Sequence, residues 1–426
     1  MLRLVLHYLY WALIFCTGIF QLLNIDSSVY KMGIPLVSGI LFAYTFITKG
    51  NQIKYPFVWW IIGFIGVGMI SSLLNQIDSF SLLYFFIYTI LSYSYFIVLV
   101  NETSLLLISR IVSFIKILVL IQIPAIFIKF LLIGQTEHGG IGTLSVNAGS
   151  VSTIFPLFII TILFCFYLFE NKKKYLVYIL CFSLLGIAGN KRAILIFIPM
   201  VLVICSLLFV KLERGKYFNS LTNKLALACT IGIAVFYLTA KTNKTLNPEH
   251  KMWGSFDLNY IVSYIDNYTD SDSYDKYQMR RKDGLIYFIN YTLKANREQM
   301  LLGDGAGKLI ESKYNTREGT MKNEYGVRYG GRMALVWLLL QVGILGTLIY
   351  LFFYIRLFSH VLKKYRSNPV YLSFLVLTIV FFIDTLIYSN VFLRYEYLKG
   401  IYFVLLGLII LDQKYNTNYF TKLVHF

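Results

Sequence analysis

Arg332-Met333-Ala334-Leu335-Val336-Trp337-Leu338-Leu339-Leu340-Gln341-Val342-Gly343 is the stretch where a hydrophilic chain turns apolar. Before it, from Lys241 to Arg332, lies the one long hydrophilic segment of the sequence. After Arg332 the apolar run continues through residue 355, long enough to cross a bilayer, which takes roughly 20 such residues. The rest of the 426-residue chain repeats that pattern. It is 58% hydrophobic and only 14% charged, with a mean hydropathy of +0.66. A soluble globular domain does not have this composition.

Twelve apolar segments of this kind can be read, at about 5–23, 30–48, 55–74, 80–100, 111–133, 148–169, 174–189, 192–210, 224–240, 333–355, 369–390 and 396–412. The expected fold class is an all-α polytopic membrane protein, with about 12 transmembrane helices and one large, partly helical extracytoplasmic loop. It divides into helices 1–9 over 1–240, the loop or cap over 241–332, and helices 10–12 with a C-terminal tail over 333–426. The first segment is long for the apolar core of a signal peptide and has no small-residue cleavage site, so it is expected to stay as an anchor.

Charge sets the expected orientation. With the N-terminus inside, the cytoplasmic loops hold Lys49 and Lys54; Arg110; Lys172, Lys173 and Lys174; Lys211, Arg214 and Lys216; and Arg356, Lys363, Lys364 and Arg366. The alternate loops, near Asp26, Asp78 and Glu137, are neutral or acidic. Basic loops are retained inside, so both termini are expected in the cytoplasm and 241–332 outside. The net charge of +18 is explained by these loops without nucleic acid. The five cysteines all lie in apolar segments, and none lies in the outer loop, which argues against a disulfide framework or a cysteine metal site.

Several residues stand out against this background. The short turn Gly189-Asn190-Lys191-Arg192-Ala193 should be external yet carries two adjacent cations. They either snorkel to headgroups or hold an anion at the outer surface. Within the loop, roughly fifteen basic residues face twelve acidic ones. Arg280, Arg281 and Lys282 open a stretch of about 277–297 whose apolar positions, Leu285, Ile286, Phe288, Ile289 and Leu293, suit an amphipathic helix on the membrane face. Asp384 sits inside the eleventh apolar segment, on the order of 9 Å below its outer end. A carboxylate there should face the bundle interior or a wet cavity and pair with an outer-site arginine. Lys116, toward the inner end of its segment, reads as a snorkelling lysine. Gly303-Asp304-Gly305-Ala306-Gly307-Lys308 lacks both the preceding strand and the Lys-Ser/Thr ending of a phosphate loop, and reads as a tight turn. Asp270-Ser271-Asp272 and the lone His250 do not amount to a metal site, so neither a metal nor a cofactor is expected.

Four pieces together resemble the bacterial O-antigen polymerase and O-antigen ligase superfamily. Gly142-Thr143-Leu144 with Asn147-Ala148-Gly149 is similar to the external segment before that family's central helix. Arg192 falls on the arginine of its Ser-x-Ser-Arg turn, although the serines are replaced here. Gly303-Asp304-Gly305 is similar to the Gly-x-Gly after its loop helix. Arg332, followed by ten residues and Gly343-Ile344-Leu345-Gly346, resembles the polymerase form of the last motif, since ligases carry His-Asn at its start.

The resemblance implies a glycosyltransferase that polymerises undecaprenyl-pyrophosphate-linked oligosaccharide repeats of an O-antigen, capsule or exopolysaccharide. It would act at the outer face of a bacterial cytoplasmic (inner) membrane, with one lipid-linked glycan as donor and another as acceptor. It implies Arg192 and Arg332 as catalytic pyrophosphate clamps, with Lys191, Arg280, Arg281 and Asn147 binding substrate. Asp384 would be a base or an arginine orienter. Membrane lipids, a chain-length regulator and a flippase of the same pathway are the implied partners. A ligase with another acceptor, a lipid-linked oligosaccharide flippase and a non-catalytic scaffold are the alternative readings.

Overall fold

The computed structural model describes residues 2–25, 27–133, 141–145, 150–188, 193–213, 218–251, 253–269, 278–279, 281–310, 321–329, 333–363 and 368–425. It is an all-α membrane protein. The first half comprises α1 (Leu2–Phe15), α2 (Thr17–Leu22), α3 (Ser27–Lys49), α4 (Val58–Leu74), α5 (Ser79–Val100), α6 (Leu105–Ile133), α7 (Val151–Glu170), α8 (Lys173–Ala188), α9 (Ile194–Glu213) and α10 (Phe218–Thr242). The hydrophilic stretch adds α11 (Leu258–Thr269), α12 (Arg281–Lys294), α13 (Arg297–Leu302) and α14 (Met321–Tyr325). The chain ends with α15 (Ala334–Lys363), α16 (Pro369–Ile383), a π-helical turn (Asp384–Tyr388), α17 (Val391–Arg394), α18 (Glu396–Tyr415) and α19 (Tyr419–Lys422).

Within the described residues the twelve apolar segments fall mainly on helix, the state in which a backbone bonds itself. Among the described residues, six helices are long and apolar enough to cross a membrane: Met32–Gln52, Ser79–Val100, Leu105–Lys129, Val151–Glu170, Ala334–Lys363 and Pro369–Tyr388. Four shorter ones are also apolar: Leu2–Phe15, Val58–Leu74, Ile196–Phe209 and Cys229–Thr242. Ile47, Trp59, Leu73 and Leu131 point outward from the bundle, as contact with lipid requires. Local signals set the helix ends. Asp78 accepts from the Ser81 N–H to start α5, and Asn368 does the same for Val370 beside Pro369 at the start of α16.

α7 is the hub. Nearly every side chain from Val151 to Leu168 is buried, as expected of a helix that is apolar all round. It packs against α8, α9, α16 and α17, while α18 fills the space between α5, α16 and α1.

Two helices are broken, and an inserted loop satisfies each break. The first apolar segment, expected as one span, divides at Cys16 into α1 and α2. There the buried loop around Gly142-Thr143-Leu144 docks: the Thr143 hydroxyl donates to the Phe15 carbonyl at 2.7 Å, and the Gly18 N–H donates to the Thr143 carbonyl at 2.8 Å. The second break is Gly343, whose φ of 62° and ψ of −167° interrupt α15. The Gly303–Gly307 turn fills it. The Asp304 N–H donates to the Leu340 carbonyl at 2.7 Å, and the Gly307 N–H to the Gln341 side chain at 3.0 Å. The C-terminal end of α4 closes the arrangement, with Ser71 donating to the Gln341 carbonyl and Ser72 to the Ala306 carbonyl. Irregular backbone at this depth is tolerated because protein, not lipid, surrounds it. The glycine-rich piece is thus a tight turn, and it meets the glycine of the Arg332 pattern in space.

Candidate functional site

A short strand pair closes the second half of the hydrophilic stretch. β1 (Gln278–Met279) pairs in parallel with β2 (Arg328–Tyr329), Gln278 opposite Arg328 and Met279 opposite Tyr329. Parallel strands leave their ladder at the same end. In sequence, β1 is followed by α12 from Arg281 and β2 by α15 from Ala334.

α12, the helix expected over about 277–297, spans Arg281–Lys294 and packs one side against α15. Gly284, Phe288 and Thr292, each four residues apart, are buried, and Phe288 packs with Met333, Val336 and Leu340 of α15 and its approach. Ile286 and Leu293, on the opposite side, are exposed. Arg281 is seven residues before Phe288, two helical turns back on the inward side. Its guanidinium lies over the Tyr388 ring, 4.7 Å from the centroid.

Tyr388 is the last residue of the π-helical turn at the end of α16. Its hydroxyl shares a 3.0 Å hydrogen bond with the Thr153 hydroxyl of α7, and the Phe197 ring of α9 meets it edge-on at 5.0 Å. The turn is held from below by Asp384, which is fully buried. One Asp384 oxygen accepts from the Ser389 hydroxyl at 2.6 Å and the other from the Phe392 N–H at 2.7 Å. The Ser389 carbonyl accepts from the Ala334 N–H at 3.0 Å, which fastens the start of α15 to the same turn. Five chain segments therefore meet here: α7, α9, α12, α15 and the α16 turn.

Arg192, Lys191, Arg280, Arg332 and Asn147 lie outside the described residues. Ala193, Met279, Arg281 and Met333, beside three of them, are described. Ala193 leads into α9, which carries Phe197, and Met333 precedes Ala334. Of the expected site residues that are described, Arg281 and Asp384 are brought into one locus.

A second polar cluster sits beneath the cap. The buried Asp304 carboxylate accepts from the Tyr325 hydroxyl at 2.6 Å, from the Tyr291 hydroxyl at 3.2 Å and from the Gln299 amide. Lys308 stands 3.7 Å from it and 4.0 Å from Glu324. Burial, then the Asp304 charge, pushes the Tyr291 hydroxyl up to about 12 and the Tyr325 hydroxyl well beyond the ordinary tyrosine range. Lys308, in the position that suggested a phosphate loop, is engaged by carboxylates instead.

Among the described residues no group of three or more His, Cys, Asp and Glu side chains could hold a metal ion; Asp270 and Asp272 lie outside them. His250 is exposed, with its ring 3.1 Å from the Lys244 carbonyl. Lys116 does not snorkel freely: it donates to the carbonyls of Leu423 and His425 and ties down the C-terminal tail.

No protein-family profile matches the chain. No curated protein matches it significantly. The residues themselves carry the functional argument. Sequence reasoning missed Tyr388 and Thr153, and the signal was slight: a Tyr388-Ser389-Asn390 polar run at the end of an apolar segment. It also passed over Glu396 and Lys399, charges three residues apart inside the twelfth apolar segment.

Proposed function

We propose that the protein is a membrane glycosyltransferase that polymerises undecaprenyl-pyrophosphate-linked oligosaccharide repeats into a surface polysaccharide at the outer face of a bacterial cytoplasmic membrane. All twelve apolar segments cross the bilayer in this reading, both termini are cytoplasmic, and 241–332 forms the outer cap. A single observation carries it. Arg281 lies on Tyr388 of the Asp384–Tyr388 turn, where Phe197 of α9, a helix that follows Lys191-Arg192 in sequence, and Ala334 of α15, which follows Arg332 in sequence, also make contact.

In the reaction a hydroxyl of one lipid-linked repeat attacks the anomeric carbon of another glycan. The bond from that carbon to the pyrophosphate oxygen breaks, and undecaprenyl pyrophosphate leaves with the electron pair. The attacking hydroxyl gives up its proton. Negative charge grows on the leaving group, and fixed guanidinium groups in a poorly hydrated site stabilise it without reorganising. Arginine suits this role because its planar fork binds phosphate oxygens in pairs and stays charged. Arg192 and Arg332 are assigned the clamp, with Lys191, Arg280, Arg281 and Asn147 around it. Both Asp384 oxygens are already engaged by Ser389 and Phe392, which supports the role of orienter rather than base.

The test is reconstitution in vesicles with a lipid-linked repeat. Chain extension is expected, and movement of the lipid across the bilayer without bond formation would identify a flippase. Arg332→Ala and Arg192→Ala should each slow extension roughly a hundred- to thousandfold, and Arg332→Lys should recover part of the loss. The double variant should be less impaired than the product of the singles. Well-expressed single variants that extend chains at parental rates would remove both residues from the mechanism.

A further inference from the structure

We infer that Tyr388 is a positioning residue: its ring fixes the Arg281 guanidinium so that the donor edge of the fork stays available for a pyrophosphate headgroup. The inference rests on the proposed function and deepens it by naming a residue that sets how an isoprenoid pyrophosphate is held.

The argument begins with the turn. A π-helical turn is a rare element that concentrates at functional sites, and this one, Asp384–Tyr388, ends in the ring that Arg281 covers. The ring is immobilised on every link. Its hydroxyl bonds Thr153 on the buried central helix, its side meets Phe197, and the next residue is clamped by Asp384 and by the Ala334 N–H. Arg281, by contrast, is an exposed side chain at the first position of α12. Left alone, such a side chain samples many rotamers, and ordering it on binding would cost affinity. Placing the guanidinium over an aromatic face restrains it while its in-plane N–H groups remain open to an anion.

The experiment uses the full-length protein in lipid nanodiscs with farnesyl pyrophosphate as the probe, followed by calorimetry. Tyr388→Phe keeps the ring and should bind within about twofold of the parent. Tyr388→Leu removes the ring and should bind roughly three- to tenfold more weakly. In an Arg281→Ala background the same Leu substitution should have no further effect. A purely structural ring would weaken binding equally in both backgrounds, which would overturn the inference, as would parental affinity in Tyr388→Leu.

A second measurement needs no ligand. Labelling of Arg281 by an arylglyoxal, read at that residue by peptide mass spectrometry, should be several-fold faster in Tyr388→Leu and unchanged in Tyr388→Phe. Equal labelling in all three proteins would overturn the positioning role whatever the ligand. If the parent binds no isoprenoid pyrophosphate while the labelling difference holds, the functional reading fails and the positioning role stands.

Discussion

Two single residues show how the cap is joined to the membrane bundle. Gly343 has a backbone conformation essentially reserved for glycine, and a Cβ there would strike the Leu301 carbonyl. Its neighbour across the contact, Gly303, is as confined, since a Cβ there would lie 2.5 Å from the Gly343 nitrogen. Gly343→Ala should therefore cost about 2–4 kcal/mol from backbone strain and overpacking. A lowered Tm of the detergent-solubilised protein measures this, and an unshifted Tm would show that the loop can back away. Tyr325 is the other case, donating to the Asp304 carboxylate at 2.6 Å. Tyr325→Phe should cost about 1.5–3 kcal/mol, the range for a hydrogen bond to a charged group. Its pH dependence has a definite sign. The folded hydroxyl ionises above the ordinary value of 10.0, so the unfolded chain releases its proton first. The contribution is complete below pH 10 and is lost as pH rises above it. Melting curves at pH 9 and 11 should show a smaller alkaline loss in Tyr325→Phe than in the parent.

At the scale of the element, α18 is the helix whose role differs most from its apolar appearance. Glu396 and Lys399 lie one turn apart and form a 2.6 Å ion pair in which the lysine is fully buried. Lys399 also donates to the Leu393 carbonyl at 3.0 Å and to the Tyr88 carbonyl, and Glu396 accepts from Ser92. The pair thus staples α18 to α5. Farther along, Asp412 accepts from the Phe420 and Thr421 N–H groups and folds the tail back as α19. Removing one member of a buried pair leaves the other charge uncompensated, at about 3–5 kcal/mol, whereas replacing both with apolar groups of similar size can be nearly neutral. Lys399→Met should lower the Tm sharply, and Glu396→Leu/Lys399→Met should restore much of it. A double variant no better than the single would mean that the pair is needed for more than cancelling its own charge.

Over the whole molecule, the arrangement is a bundle around α7 with a small helical cap at one end, and the orientation of that bundle is the large-scale proposal. It is tested by thiol labelling in a variant whose five cysteines are replaced by alanine. Ser255→Cys, in the exposed part of the hydrophilic stretch, should react with an impermeant reagent on intact cells. Thr103→Cys, exposed between α5 and α6, should react only after the cells are opened. The reverse pattern would invert the topology and move the Arg281–Tyr388 locus to the cytoplasmic face.

Apolar length by itself determined the membrane class and the helical state of the long apolar segments, because a backbone in lipid has no alternative to bonding itself. It also determined the place of the cap helix α12, from the spacing of Leu285, Phe288 and their neighbours. Other features depended on contacts distant in sequence and were invisible to local pattern. The break in the first segment is bonded by a loop more than 120 residues away in sequence, through Thr143 to Phe15 and Gly18 to Thr143. The break at Gly343 exists because a loop about 40 residues earlier fills it, and one residue type out of twenty is all that marks it in sequence. Asp384 was legible as a carboxylate needing company, yet its partners, Ser389 and Phe392, follow from a turn that only packing against α15 creates. The stacking of Arg281 on Tyr388 joins residues about 107 apart, and no periodicity encodes it. Hydrophobicity is a property of segments and survives in sequence; the meeting of two side chains is a property of the closed bundle, and tertiary packing alone decided it.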